Sequence, residues 1–160
     1  FGREVSFFEG GATGLKKEDV DIIRKLDDLI RSTTKDIENY RFGRASENLY
    51  QFIWHEFADK YIELSKPRLQ HPDPATATAG SRSGGRVGSD NSGLPGSIRS
   101  NPSQENDEDK VLVLSILRHT LINSLKLLHP FMPFVTEEIW SQIPRKDSWP
   151  LIISPWPSLE

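Results

Sequence analysis

Two prolines three residues apart, Pro130 and Pro133, divide the apolar stretch Leu125–Trp140, and they limit what this chain can fold into more than any other feature. Each biases the residue before it, His129 and Met132, away from helix and toward extended backbone. Pro130 therefore stops one helix and Pro133 opens the next, because a first-turn residue has no intrahelical use for its N–H. Glu137 and Glu138 fall in or just after that first turn, where the helix dipole favours negative charge. Val135, Ile139 and Ile143 then recur every four residues, with Trp140 beside them, until Pro144 ends the run. The stretch predicts a tight corner between two packed helices.

Three more amphipathic runs supply the rest of a core. From about Lys16 to Tyr40, Ile22, Leu26, Leu29, Thr33, Ile37 and Tyr40 keep three- and four-residue spacing and predict one buried face. The charges between them read as a solvated side, with Glu18, Asp19 and Asp21 gathered at the N-terminal end as the dipole prefers. After a break at Arg41–Gly43, a second helix spans roughly Arg44 to Ser65, with Ala45, Leu49, Phe52, Ile53, Phe57, Tyr61 and Leu64 inside and Pro67 ending it. Tyr50 and Trp54, four apart, suit either bases stacked on a surface or a closed bundle, and helical spacing favours packing. A third helix runs from about Asp107 to Leu128, with a stripe of Val111, Leu114, Leu117, Leu121, Leu125 and Leu128 broadened by Val113, Ile116 and Leu127. A helix so apolar on several sides is the expected centre of a bundle. The fourth helix is Pro133–Ile143, followed by an extended run Leu151–Ser154. The fold class is all-α, an antiparallel helical bundle.

Between the second and third helices, residues 67–106 contain no aromatic ring, and Gly, Pro and Ser fill 18 of the 40 positions. Such a stretch buries too little surface to offset its ordering entropy, so a disordered insert is expected. Its Gly-Gly pair lacks the flanking strand and helix of a phosphate loop.

The run His129-Pro130-Phe131-Met132-Pro133-Phe134-Val135-Thr136-Glu137-Glu138-Ile139-Trp140 closely resembles a signature of valyl-tRNA synthetases. Upstream, Asn39-Tyr40-Arg41-Phe42, Leu49-Tyr50-Gln51-Phe52-Ile53-Trp54-His55-Glu56-Phe57 and Tyr61-Ile62-Glu63-Leu64-Ser65-Lys66 resemble a helix of the same enzymes. Ser154-Pro155-Trp156-Pro157 resembles the tail that follows their last helix. The resemblance covers most of 16–66 and 107–157 and implies a helical anticodon-binding domain over 16–160, with 1–15 as the end of a preceding connector. The insert at 67–106 departs from the family, which crosses there with a much shorter loop. Leucyl, isoleucyl and methionyl enzymes are the alternatives within the class, and a helical interaction module without tRNA binding is the alternative outside it.

The residues give no independent sign of catalysis. Glu137 and Glu138 are adjacent, so on a helix they point about 100° apart and form no facing acid–base pair. His55, His119 and His129 share no metal-ligand spacing, and no Ser sits in a nucleophile elbow. The His-Ile-Gly-His and Lys-Met-Ser-Lys-Ser signatures of the ATP site are absent. The chain has no cysteine, which excludes a disulfide framework and thiolate metal sites. No apolar stretch approaches the roughly 20 residues a membrane helix needs, and a net charge of −3 carries no general nucleic-acid footprint. With Phe1 first and Met132 the only methionine, the chain reads as a segment of something longer. The resemblance implies that the full-length enzyme uses ATP and Mg²⁺, neither of them held by this chain. Its implied partners are the tRNA anticodon arm and the catalytic core of the same synthetase, with no membrane or DNA. The implied location is the cytoplasm, with an organellar form left open.

A surface for an anticodon arm must pair exposed cations with rings or amides, because the loop offers unstacked bases and the stem offers phosphates. The break Asn39-Tyr40-Arg41-Phe42-Gly43-Arg44 meets that demand best, through Asn39, Tyr40, Arg41, Phe42 and Arg44. The competing reading buries Phe42 and pairs Arg41 and Arg44 with acids such as Glu38 or Glu47. Arg118 and Lys126 form a second candidate set, although their place inside a helix favours ion pairing.

Overall fold

The computed structural model describes residues 15–70, 102–145 and 149–158, and for 102–106 the backbone alone. Every regular element among them is helical: α1 (Lys17–Glu38), α2 (Phe42–Tyr50), a π-helical segment (Gln51–Ile62), α3 (Glu63–Leu69), α4 (Pro102–Leu128), α5 (Pro133–Gln142) and a 3₁₀ turn (Leu151–Ile153). α2, the π segment and α3 follow without interruption and make one rod. Two ion pairs fix its direction: Arg44 near its start holds Asp36 near the end of α1, and Arg68 near its end holds Asp19 near the start of α1. Arg68 also grips Asp109 in the early part of α4, so α4 sets out beside the end of the rod and runs against it. The result is the antiparallel all-α bundle that the stripes require, with α4 packed against α1, the rod and α5.

The rod starts earlier and ends later than the sequence suggests. Pro67 lies inside α3 rather than ending the helix. An interior proline removes one hydrogen bond and crowds the carbonyl four residues back. Here the next residue, Arg68, is clamped by Asp19 and Asp109, and the Gln70 N–H closes on the Lys66 carbonyl at 3.0 Å. Tertiary anchoring thus carries the helix past its proline. The wide π turns also have a sequence cause. Phe52 and Phe57 are both buried yet stand five apart, one residue more than an α-helix brings onto one face. Beyond them the buried row continues as Tyr61 and Ser65, which leaves Leu64, expected inside, 55% exposed.

α4 corrects a second expectation. Its buried positions among the described residues are Val113, Ile116, Thr120, Ser124, Leu125, Lys126 and Leu127, whereas Val111 and Leu114 face outward. A helix apolar on several sides does not declare its inner face by hydrophobicity. Thr120 and Ser124 mark it, because small side chains let neighbouring helices approach. Asp107–Leu128 is also long and apolar enough, by length and composition, to cross a membrane, contrary to the sequence expectation; 44% of its most apolar window is buried inside the bundle.

The Pro130–Pro133 corner forms as expected, with the Phe131 and Met132 N–H groups closing on the Leu128 carbonyl at 2.9 and 3.0 Å. Thr136 and Trp140 are the buried residues of α5, while Val135 and Ile139 are exposed. Trp140 packs with Leu125 and Leu151 in a core cluster of their own, and its indole N–H donates to the Trp149 carbonyl at 3.1 Å. Glu137 does more than answer the dipole: it accepts the Leu151 and Ile152 N–H groups at 2.9 and 2.8 Å. Burial pushes its carboxyl up, and those two N–H bonds outweigh burial and hold it below the usual range. That cap produces the 3₁₀ turn Leu151–Ile153 where the sequence suggested extended chain. The connector at 1–14 and positions 71–101 of the insert lie outside the described residues, but 67–69 and 102–106 are helical.

Candidate nucleic-acid interface

The break between α1 and α2 is built by backbone chemistry. The Tyr40 N–H closes on the Ile37 carbonyl at 3.0 Å and the Arg41 N–H on the Asp36 carbonyl at 2.7 Å. These paired closures are the Schellman termination, which requires a left-handed residue in the middle and usually places Gly there. Tyr40 occupies it with φ 58°, the one positive-φ residue other than glycine among those described. A side chain in that conformation is disfavoured by roughly 1–2 kcal/mol, and held strain of this kind gathers at functional sites. It throws the Tyr40 ring into solvent, 83% exposed rather than on the apolar face expected for it. Phe42 is also exposed, its ring edge-on to Tyr40 at 6.3 Å between centroids. Gly43, expected within the break, instead lies in the first turn of α2.

The two arginines of the break divide their duties. Arg44 forks onto Asp36, its Nε 3.0 and 2.9 Å from the two carboxylate oxygens and its Nη2 on Oδ1. Asp36 is fully buried while the Arg44 side chain is 57% exposed. The hydrogen-bonded guanidinium holds the Asp36 carboxyl below the usual range, and Asp36 in turn raises Arg44. The partner is therefore Asp36 rather than Glu38 or Glu47; Glu47 accepts a bond from Gln51 at 2.9 Å. Arg41 is exposed, and no ion pair among the described residues engages its side chain. The Asn39 amide caps α1 through the Lys35 carbonyl at 2.6 Å.

The second candidate set stands differently. Arg118 is exposed and donates to the Pro144 carbonyl at 3.0 Å, on the α5 side of the bundle. Lys126 is only 8% exposed, its stem covered in the last turn of α4.

Tyr50 and Trp54 overturn the packing expectation. Both rings are more than half exposed, and they stack on each other at 6.4 Å with planes 6° apart. Four-residue spacing located the pair correctly but did not reveal the face, because the buried row of α2 is Ala45 and Leu49.

At the other end of the hairpin, sequence reasoning missed a closed ion network. Arg68, 9% exposed, bonds the buried Asp19 at 2.8 and 2.9 Å and also Asp109. The Tyr61 hydroxyl donates to Asp19 at 2.8 Å. Burial pushes the Asp19 carboxyl up, and bonds from Arg68, Tyr61 and the Lys16 N–H outweigh it, leaving it below the usual range. Burial together with Asp19 raises the Tyr61 phenol. Only a long-range partner, invisible in local spacing, distinguishes this aspartate from its neighbours in a first turn. Among the described residues no group of three or more His, Asp or Glu side chains is placed to hold a metal.

The break thus sets a fixed turn, exposed rings and an exposed guanidinium at one end of an all-α bundle. The family model described as the anticodon-binding domain of tRNA ligase matches residues 19–82 and 97–160, and the chain belongs to that family. Curated proteins that it matches include valine–tRNA ligases. That of a Synechocystis strain is 33% identical over 138 residues, covering 86% of this chain and 12% of that protein. That of Petrotoga mobilis is 34% identical over 144 residues, covering 89% and 13%. That of Bacillus thuringiensis subsp. konkukian is 32% identical over 157 residues, covering 98% and 14%. The chain thus spans about one-eighth of the length of the relatives it matches.

Proposed function

We propose that this chain supplies anticodon-arm recognition to a valine–tRNA ligase, acting on tRNA(Val) in the cytoplasm. Activation of valine with ATP and Mg²⁺ and its transfer to tRNA take place on a catalytic core outside these residues. The observation that carries this reading is the division of labour at the α1–α2 break. Arg44 is anchored on Asp36 and fixes the hairpin end, leaving Arg41, which stands between the exposed Tyr40 and Phe42 in the sequence, out of any ion pair among the described residues. An unpaired guanidinium serves either a phosphate fork or a base face. Asn39, Tyr40, Arg41 and Phe42 form the contact surface in this reading, with Arg44 as its brace.

The test is filter binding of the chain to tRNA(Val) and to the same tRNA with its anticodon bases exchanged. Recognition of the anticodon predicts weaker binding to the exchanged tRNA, with each lost base contact lowering affinity severalfold or more. Equal affinity for both would reduce the chain to a backbone binder, and absence of binding to either would favour a helical interaction module.

A further inference from the structure

We propose that Tyr50 and Trp54, with Phe42 ahead of them on the same ridge, form a stacking platform for unpaired bases of the bound RNA. The proposal rests on the RNA-binding reading above and adds a subsite to it. Phe42, Ser46 and Tyr50 stand four residues apart on α2, the spacing that lines side chains into one ridge, and the stacked Tyr50–Trp54 pair carries the row into the π segment. All four are exposed. The ridge is open rather than crowded: a side-chain carbon added at neighbouring Gly43 would meet nothing within 4 Å, and Ser46 leaves a gap between the rings. Phe42 and Tyr50 are thus separated by ~12 Å along the axis at about 1.5 Å per residue, with Arg41 at the head of the row.

Three observations favour bases as the occupant. First, the Tyr50 and Trp54 planes are nearly parallel, so the pair presents ring faces in one orientation, and flat faces suit flat ligands. Second, the ridge positions themselves carry no acid, and Glu47 beside them accepts a hydrogen bond from Gln51 at 2.9 Å. Third, the ridge exposes Phe42, Tyr50 and Trp54 with no large exposed aliphatic among them, whereas Leu114 and Ile139 line a separate groove between α4, α5 and the π segment. Base stacking on aromatic side chains tolerates any base, because every base has a π face. The platform therefore adds affinity without choosing sequence, and selectivity is left to the break.

The experiment compares Trp54→Ala, Trp54→Phe and Tyr50→Ala with the unaltered chain, using transcribed tRNA(Val) carrying 2-aminopurine in the anticodon loop. Affinity is followed across a salt series and folding by circular dichroism. The platform predicts about 5- to 150-fold weaker binding for Trp54→Ala, largely restored binding for Trp54→Phe, an unchanged salt slope, and loss of the 2-aminopurine quench. If Trp54→Ala and Tyr50→Ala bind like the unaltered chain while Arg41→Ala binds more weakly, the platform is wrong and the RNA-binding reading stands. A lowered salt slope for Trp54→Ala would place phosphates, not bases, on the ridge and overturn the proposal. If the unaltered chain binds no tRNA, both fall together.

Discussion

The two ends of the α1–rod hairpin use the same pair of residue types for opposite purposes. At each end a fully buried aspartate of α1 takes an arginine from the rod, Asp19 with Arg68 and Asp36 with Arg44. At the Asp19 end the arginine is itself covered, 9% exposed, and two more partners, Tyr61 and Asp109, close around the pair. At the Asp36 end the arginine stays 57% exposed and the surrounding rings point outward. One pair is a lock sealed inside the bundle; the other is a brace beneath an open surface. Ion-pair chemistry alone does not tell the closed end from the open one here. What separates them is whether the groups around the pair have used up their hydrogen-bonding and ring faces.

The sharpest way to break that comparison is to remove each aspartate. Asp19→Ala removes the acceptor of the Arg68 Nη1 and Tyr61 hydroxyl bonds, leaves Arg68 on Asp109 alone, and is expected to lose about 1.5–3 kcal/mol in urea unfolding. Asp36→Ala is expected to lose less, because Arg44 reaches water. Equal losses would mean that the two ends are equally closed. Acid should follow the same order. Asp19, Asp36 and Asp109 are all held below the ordinary carboxylate range. The unfolded chain therefore takes up protons first as pH falls, and stability present at neutral pH is lost below about pH 4. A melting temperature that stays flat from pH 6 to pH 3 would contradict this assignment.

A smaller effect of opposite sign belongs to Tyr40. Tyr40→Gly relieves the left-handed conformation and is expected to stabilise the chain by about 0.5–1 kcal/mol, after allowance for the added freedom of the unfolded glycine. The same change should weaken tRNA binding, so a stabilised variant with full affinity would strip the open end of its functional meaning. Smallest is Asp27, half-buried on α1, whose carboxyl burial pushes up despite Arg31 and His119 nearby. A folded carboxyl raised above its unfolded value lowers stability once pH exceeds the unfolded value. Asp27→Asn is thus expected to raise the melting temperature slightly at pH 7 and to have no effect at pH 3.

Much of this architecture was legible in the residues. The proline pair announced the corner, three- and four-residue spacing gave the buried Ile22, Leu26, Leu29 and Thr33 of α1 and Ala45 and Leu49 of α2, and the motif order gave the family. The failures share one physical origin, in that local spacing says nothing about long-range partners. Pro67 looked like a stop because Arg68's two aspartates are far away in sequence. The inner face of α4 was assigned to leucines because Thr120 and Ser124, which mark it, carry little hydrophobic signal. Helical spacing favours packing for Tyr50 and Trp54, yet the same spacing fits a surface ladder, and both rings are exposed. A five-residue gap between Phe52 and Phe57 was readable as a wide turn, and an α-helical template concealed it. At the candidate site, the residues of the break stood out in the sequence, but which arginine is anchored depended on Asp36 being buried.

The most direct test of the closed and open ends is the salt dependence of tRNA affinity for Arg41→Ala alone, measured beside its unfolding curve. Arg44 must stay in place, since its removal would disturb the hairpin end as well as the surface. The account predicts unchanged stability, weaker binding, and a salt slope smaller by roughly one unit for one lost phosphate contact. An unchanged slope and affinity in a folded Arg41→Ala chain would contradict it and place the tRNA surface away from the break.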